Sequence, residues 1–351
     1  MVKYHHNPLY YGYSLPKSEQ IPSIYKIGEI NVGCRAVFMK FSLLISCISL
    51  VLAGCKTTNT GPTHVSDVGI VVREGVTIID PLTNTTVQWS DFMLRIKDVD
   101  VVLLGEQHDH AIGHAVEFAV VEDVMDSFPG SVLALEMLER DEQFRVDDYM
   151  DDIIDSEAFS KITLSANWGG VGGWEAWYQP IIDAAKYRGG LVVAANAPRR
   201  YVRLARTDGY ERIDELPLER RVFVDYPKEF SSGRYRQRFF EHGVHTEEDE
   251  EEIEIDVTTI DPDDPTLPYF KSMQMWDATM AQSIVNARPS KNHKVILLVG
   301  HFHVDYDGGV VQEIRNRMPH ASVFVVSIQR EIPEDEDWRG NPPIADLIIV
   351  E

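Results

Sequence analysis

Cysteine is scarce in this 351-residue chain, with only Cys34, Cys47 and Cys55 present. If the chain is cleaved before Cys55, as argued below, one cysteine remains in the mature molecule. A disulfide, or a metal site made of several thiolates, is then excluded within one mature molecule. Any metal or catalytic site in the body of the protein must therefore be built from other side chains.

Positive charge is also in short supply, since 33 Lys and Arg stand against 56 Asp and Glu, a net charge of −23. Residues 1–54 hold five basic and two acidic residues, which leaves 28 basic and 54 acidic residues from Cys55 onward, a net charge of −26. A surface this acidic argues against nucleic acid as a partner, because nucleic-acid binding relies on Lys and Arg at the phosphates. It also disfavours a basic patch that binds anionic lipid.

The apolar run near the N-terminus is too short to cross a bilayer, which takes about 20 apolar residues. Residues 41–54 carry no charge, follow Met39-Lys40 and end in Leu-Ala-Gly before Cys55. A positive start, a short apolar core and small residues at the cleavage position predict a secretory signal over residues 39–54. The cysteine resembles that of the lipobox of bacterial lipoprotein precursors, which implies acylation of Cys55. The alternative is an ordinary signal with a chance cysteine.

The lipobox resemblance implies a location for the protein, and the sequence itself indicates how the chain is divided. Lys56, rather than Asp, favours lipid anchoring in the outer membrane, facing the periplasm. Residues 1–38 are interpreted as a misassigned start, with translation beginning at Met39, rather than as a genuine extension. Residues 55–67, rich in Thr, Asn, Gly and Pro, predict a flexible tether, and residues 68–351 predict one α/β domain.

One acidic segment interrupts the domain, residues 245–268, which includes the run Glu247–Glu252. Like charges at this density cannot be buried together, so the segment is interpreted as a disordered insertion. Cation capture is the alternative.

Short apolar runs alternate with helical stretches along the domain. This order predicts an α/β fold with a mainly parallel central sheet flanked by helices on both faces. At the N-terminus, Val68–Val72 and Val76–Ile79 flank Arg73-Glu74-Gly75 and predict a β-hairpin. The later strands are predicted at Val101–Leu104, Val132–Leu135, Leu191–Ala195, Val295–Val299, Val323–Val326 and Leu347–Val350.

Two of these strands are followed by the motif Gly-x-x-His, which ends at His108 and at His303. In open α/β sheets, ligands bind beyond the carboxyl ends of the strands, and glycine permits a sharp turn there. Glu136 directly follows a third strand, where an acid is costly unless it is paired or functional. Glu106, His108, Glu136 and His303 are therefore expected to converge, either on a divalent metal or for acid–base chemistry. The alternative is two strand-end turns with satisfied histidines.

With these motifs the sequence resembles the ChaN-like haem-binding lipoproteins, which belong to the wider Tiki, TraB and erythromycin-esterase-like superfamily. The matching stretches occur in the family's order and cover nearly all of the chain after Cys55. The departures are the acidic insertion and the second motif, Gly-His-Phe-His, where the family often has Gly-Asn-Gly-His or Gly-x-x-His. The matching stretches are Leu103–Asp109, Ala134–Arg140, Trp177–Pro180, Ala195–Arg200, Met275–Ala281 and Leu298–His303.

The resemblance implies non-covalent b-type haem as the cofactor and a role in haem and iron uptake, with an outer-membrane haem receptor as a partner. In the family, haem lies at a dimer interface, which implies a haem-induced homodimer. Tyrosine ligates the iron there, and phenolate is an established haem ligand. Tyr178, inside a matching stretch, is the first choice and Tyr201 the second. The alternative for Tyr178 is aromatic packing beside Trp174 and Trp177.

In the family, a histidine and a lysine of the other subunit meet the haem propionates. The resemblance therefore implies His108 or His114 in the first role. The family's lysine has no evident counterpart, so Arg199 or Arg200 is assigned its place.

An enzyme remains the alternative to a binding protein. This would be a metal-dependent hydrolase that uses Glu106, His108, Glu136 and His303, with the divalent metal held by His108, His303 and Glu136. Distant relatives in the superfamily include proteases and esterases. The length of the family match favours binding, whereas the intact pair of motifs favours catalysis.

Overall fold

The computed structural model describes residues 64–67, 69–243, 260–333 and 336–351, all within one compact unit, residues 57–351. The predicted signal, Cys55, most of the tether and most of the acidic insertion lie outside the described residues. Within the described part, no helix combines the length and the apolar character needed to span a membrane.

A single eight-stranded sheet forms the centre of the fold. Its strands are β1 (Thr77–Asp80), β2 (Thr85–Val87), β3 (Val101–Glu106), β4 (Val132–Glu139), β5 (Leu191–Asn196), β6 (Val295–Gly300), β7 (Val323–Ile328) and β8 (Leu347–Val350).

The strands lie in the order β2-β1-β8-β7-β3-β6-β4-β5. Every neighbouring pair from β8 to β5 is parallel, and β1 runs antiparallel to both β2 and β8. This arrangement confirms the predicted mainly parallel sheet. The six predicted strands from Val101 onward all form, and most extend one to four residues further.

Helices cover both faces of the sheet. Within the described residues they are α1 (Gly69–Gly75), α2 (Trp89–Lys97), α3 (Ala111–Ser127), α4 (Gln143–Met150), α5 (Ser156–Ile162), α6 (Gln179–Tyr187), α7 (Arg199–Asp208), α8 (Tyr210–Asp214), α9 (Leu218–Arg221), α10 (Gly233–Gly243), α11 (Leu267–Asn286) and α12 (Gly309–Arg317).

The two faces bury alternate residues of each strand. Val102 and Leu104 join the core cluster that contains α3 and α6, whereas Val101 and Leu103 join the cluster that contains α11 and α12. Successive side chains of a strand point to opposite faces, so a strand that is buried on both faces must be apolar throughout. This requirement explains the uninterrupted apolar runs in the sequence.

The N-terminal hairpin exists, but its strands are β1 and β2 rather than the predicted Val68–Val72 and Val76–Ile79. Residues 69–75 form α1 instead. A short apolar run fits either a strand or a buried helix, and here tertiary contacts decide. Val72 is buried, and the Arg73 guanidinium donates to Glu122 and Asp123 on α3.

The end of the predicted acidic insertion belongs to the folded domain. The Asp264 carboxylate accepts a hydrogen bond from the Thr266 amide, and α11 begins at Leu267, followed by Pro268. Proline is well tolerated in a first helical turn, because amides there lack a helical partner. The ordered helix therefore starts inside the predicted range of 245–268.

Candidate functional site

The strand register brings the two Gly-x-x-His motifs side by side. Glu106 at the end of β3 lies opposite Gly300 at the end of β6. Strand β4 pairs with the other edge of β6, with Leu135 opposite Leu298, so that Glu136 follows at the same level. The three strands therefore deliver Glu106, Glu136 and both motifs to one crevice at the carboxyl edge of the sheet.

His108 and Glu106 form the first carboxylate–imidazole pair. The Nδ1 atom of His108 lies 2.5 Å from Oε1 of Glu106, and the Tyr178 hydroxyl donates to the same oxygen at 3.1 Å. Burial lowers the pKa of His108, but the hydrogen bond and charge of Glu106, with Glu136 nearby, outweigh it and raise the pKa to about 9. His108 is therefore positively charged near neutral pH, and its bonded Nδ1 leaves Nε2 to face the crevice.

His303 and Asp277 form the second pair. The Nδ1 atom of His303 lies 2.6 Å from Oδ1 of Asp277, whose other oxygen accepts from the Tyr235 hydroxyl at 2.5 Å. Burial lowers the pKa of His303, but Asp277 and Glu136 raise it more, so its pKa lies above the usual value. Sequence reasoning missed Asp277, although an acid within the apolar helix α11 is itself a signal.

Glu136 lies between the two imidazoles. Its Oε2 accepts the Gly300 amide at 2.7 Å, and its Oε1 is 3.6 Å from Nε2 of His303. A Cβ atom on Gly300 would lie 3.4 Å from Nε2 of His108 and 3.5 Å from Oε2 of Glu136. Glycine therefore keeps open the space that His108 and Glu136 share.

Trp168 and Arg199 form the mouth of the crevice. The Trp168 ring meets the His108 ring edge-on at 4.8 Å, and the exposed Arg199 guanidinium lies 5.3 Å from the Trp168 ring. Among the described residues, Arg199 has no carboxylate partner for its side chain. The cleft lined by Glu136, Trp168 and Arg199 has a volume of about 80 Å³.

His114 lies in the core beneath the crevice rather than at its mouth. It is fully buried, with Nε2 3.3 Å from the His108 carbonyl oxygen and Nδ1 2.8 Å from Oε2 of Glu117. Burial lowers the pKa of His114 and raises that of Glu117 far above its usual range. A carbonyl only accepts, so Nε2 of the neutral ring carries the proton, and the neutral Glu117 carboxyl donates to Nδ1. Both ring nitrogens of the buried His114 are thus occupied, and we do not assign His114 to a haem propionate.

The tyrosines assigned to iron occupy different environments. Tyr178 is fully buried, and burial raises its pKa well above the usual value. Its ring packs against His114 and Trp174, the aromatic contact that the sequence left as the alternative. Tyr201 lies in the first turn of α7 and is also buried, in a cluster with Ala197, Val202 and Met275. The exposed Arg200, which pairs with Asp141, places its guanidinium 4.6 Å from the Tyr201 ring.

The described residues form no ready-made site for the divalent metal of the alternative hypothesis. Among the described residues, no three His, Cys, Asp or Glu side chains are arranged to hold a metal ion. Both crevice histidines direct Nδ1 at a carboxylate, which leaves each Nε2 for a proton or another ligand, and Glu136 accepts a backbone amide on one oxygen. The arrangement suits proton transfer.

The fold and the crevice define an open α/β protein with its polar centre at the carboxyl edge of a parallel sheet. A family model described as haem-binding uptake, Tiki superfamily, ChaN matches residues 92–314. The chain belongs to this family, as the sequence motifs predicted.

Two solved structures resemble this chain. The structure of cofacial haem binding to ChaN of Campylobacter jejuni matches with a TM-score of 0.55 and 19% identity, over 78% of this chain and 96% of that one. An erythromycin esterase mutant in its open conformation matches with a TM-score of 0.38 and 12% identity, over 72% and 76% of the two chains. The first likeness supports the fold. No curated protein matches the sequence.

Proposed function

We propose that this protein binds non-covalent b-type haem and serves haem and iron uptake. The observation that carries the proposal is the family match over residues 92–314, a span that contains the crevice and its mouth. The side chains at the mouth fit such a ligand, because Trp168 supplies an aromatic ring and Arg199 a cation that has no carboxylate partner among the described residues.

Haem would lie on the outer surface rather than inside the crevice. Pockets that enclose a drug-sized ligand have volumes of roughly 300–1,000 Å³, whereas the cleft beside Trp168 has about 80 Å³. A haem on this surface keeps one face exposed to water. A second haem on a second copy of the chain would cover that face, which supports the proposal of a haem-induced homodimer.

Arg199 is the best placed group for a haem propionate. Its guanidinium is exposed, stacks over Trp168 and has no carboxylate partner among the described residues. Arg200 is a weaker choice, because its charge is already paired with Asp141. His108, with its side chain 41% exposed, is the histidine that reaches the mouth.

Tyr201 replaces Tyr178 as our first choice of iron ligand. A phenolate at Tyr178 would be buried against Oε1 of Glu106, and both desolvation and the like charge of Glu106 oppose it. The Tyr201 ring instead lies 4.6 Å from the Arg200 guanidinium, a cation rather than a carboxylate.

Haemin titration tests both parts of this proposal. We expect a high-spin ferric spectrum that is lost in Tyr201→Phe and kept in Tyr178→Phe, with the exposed Tyr269→Phe as a matched control. Loss of the spectrum only in Tyr178→Phe would restore Tyr178 as ligand and leave haem binding intact. If the unaltered protein does not bind haemin at all, the proposed function is rejected.

We further propose that the protein is anchored to the outer membrane through lipid on Cys55. Cys55→Ser should move the protein from the membrane fraction to the soluble fraction, and translation from Met39 alone should support export. Unchanged membrane association of the variant would contradict lipid anchoring. Binding of an outer-membrane haem receptor is the remaining part of the proposal, and crosslinking in cells that are supplied with haem would detect it.

A further inference from the structure

Positive charge is concentrated on one helix of this acidic molecule. Helix α7 carries four arginines and no acidic residue before its last position, Asp208. Residues 199–221 as a whole hold seven arginines against five acidic residues, whereas the chain from Cys55 onward has a net charge of −26. The overall composition disfavours a basic patch that binds anionic lipid, but the sequence gathers cations in this segment instead of spreading them evenly.

Three of these arginines form a row on the outer side of α7. Arg199, Arg203 and Arg206 are spaced by four and three residues, which places them on one face of the helix, about 10 Å from end to end. The buried side chains of α7 occupy the opposite face. Among the described residues, none of the three guanidinium groups forms an ion pair, whereas Arg200 pairs with Asp141. The row therefore offers three cations to a partner outside the domain.

Aromatic side chains lie at both ends of this row. The Arg199 guanidinium is 5.3 Å from the Trp168 ring, and the Arg206 guanidinium is 5.2 Å from the exposed ring of Tyr269. In the glycine-rich segment that follows Trp168, the Val171 side chain is fully exposed. We call this surface the basic face, and its residues are Trp168, Val171, Arg199, Arg203, Arg206 and Tyr269.

We propose that the basic face rests on the headgroups of a bilayer that contains anionic phospholipid. Guanidinium groups bind phosphate oxygens well, and Trp and Tyr rings favour the level of the headgroups. An acidic partner protein would satisfy the arginines but would leave the aromatic rings and Val171 without a role, so the observations favour the bilayer. The inference goes beyond haem binding and rests on the proposed lipid anchor, which keeps the domain beside the membrane.

The basic face acts despite the negative charge of the whole molecule, because salt screens distant charges. The screening length is about 8 Å at 0.15 M salt, so phosphates that touch the face respond mainly to the nearby arginines. Each arginine near an anionic surface strengthens binding about fivefold, and three together give on the order of 100-fold. That is too weak to attach a soluble protein. It suffices to orient a domain that an anchor already holds at high effective concentration.

This orientation decides where the crevice opens. Trp168 and Arg199 belong both to the basic face and to the mouth of the crevice. A domain that rests on this face therefore turns the mouth toward the bilayer. A largely apolar ligand such as haem would then reach the mouth from the lipid.

Fluorescence quenching by spin-labelled lipid headgroups measures the orientation. The haem-free protein, purified from membranes, carries a nitrobenzoxadiazole dye on Thr207→Cys, an exposed position of α7. It is reconstituted into vesicles of phosphatidylethanolamine and phosphatidylglycerol, or of phosphatidylcholine alone. We expect strong quenching in the anionic vesicles and weak quenching in the neutral ones. The same dye on the exposed Thr86→Cys should stay unquenched, because β2 is the sheet edge opposite β5, the strand that precedes α7.

Charge variants test the arginine row itself. Arg203→Ala combined with Arg206→Ala should lower the equilibrium constant for contact with anionic vesicles about 20-fold. Arg212→Ala combined with Arg220→Ala is the matched control, because it removes the same charge from α8 and α9 and should change contact less than about twofold. Circular dichroism checks that every variant is folded.

Three outcomes would overturn the basic face: equal quenching in both kinds of vesicle, equal losses in the two double variants, or quenching of the Thr86→Cys label as strong as that of Thr207→Cys. Flotation of the same vesicles reports the anchor separately. Protein that floats without quenching refutes the basic face and keeps the anchor. Quenching of protein that does not float keeps the basic face and refutes the anchor, and protein with neither refutes both.

Discussion

At the scale of single residues, Asp277 links three elements of the fold. It lies on α11 and accepts hydrogen bonds from Tyr235 on α10, from Gln274 within α11 and from His303 after β6. A buried carboxylate is tolerated only when its oxygens are bonded and its charge is balanced. The contacts of Asp277 therefore fix the position of His303 and, through it, one side of the crevice.

Tyr235→Phe tests this network. The change removes one hydroxyl donor from the buried Asp277 and leaves the ring in place, so we expect unfolding free energy to fall by about 1–3 kcal/mol. Urea denaturation measures the loss, with the exposed Tyr269→Phe as control. Equal stability of the two variants would show that the Tyr235 hydrogen bond contributes nothing.

The His108–Glu106 pair predicts a dependence of stability on pH. The pKa of His108 rises from 6.5 to about 9 on folding, so the protonated imidazole favours the folded state. This stabilisation is fully present below pH 6.5 and is lost as the pH rises through about 9. Urea denaturation across that window should show a weaker decline for His108→Gln than for the unaltered protein. Parallel declines would refute the raised pKa, and the exposed His320→Gln controls for solvent-facing histidines.

At the scale of elements, the start of α12 packs against α11 through a position that only glycine can fill. A Cβ atom on Gly309 would lie 1.9 Å from Oδ2 of Asp277 and 3.0 Å from the Tyr235 ring. Both neighbours are held by the same buried hydrogen-bond network. Close approach of the two helices at Gly309 thus holds Asp277, and through it His303, in place.

Gly309→Ala should therefore destabilise the protein by about 1–3 kcal/mol, the usual result of overpacking a core. Gly75→Ala at the end of α1 is the matched control, because its Cβ would meet nothing within 4 Å. Thermal unfolding followed by circular dichroism compares the two. A Gly309→Ala variant as stable as the control would mean that Asp277 moves aside without cost.

Prediction succeeded for elements whose signal is local. The strands from β3 onward follow from apolar runs in the sequence. The segment after β5 gave no such signal, and its four helices α7 to α10 were not predicted. Residues 69–75 were predicted as the end of a strand, Val68–Val72, and a turn, but they form a helix, because contacts of Val72 and Arg73 with other parts of the chain decide the outcome.

At the scale of the whole molecule, net charge governs association. The chain from Cys55 onward carries a net charge of −26, so two copies repel each other. The repulsion is screened over about 30 Å at 0.01 M salt and about 8 Å at 0.15 M. The fraction of the proposed haem-dependent dimer should therefore rise with sodium chloride across this range, as measured by sedimentation velocity, with haem-free protein as control. A dimer that dissociates as salt rises would instead indicate an interface held by ion pairs.

The sequence by itself determined the fold class, the family, and four of the crevice residues, Glu106, His108, Glu136 and His303. It did so because strand ends and Gly-x-x-His motifs are local patterns that parallel pairing must bring to one edge. Only the tertiary structure decided which side chains are accessible. It buried Tyr178 and His114, left Arg199 exposed and joined Asp277 to His303 across 26 positions of the chain. Burial and pairing between distant segments depend on how the layers pack, and no local pattern encodes that.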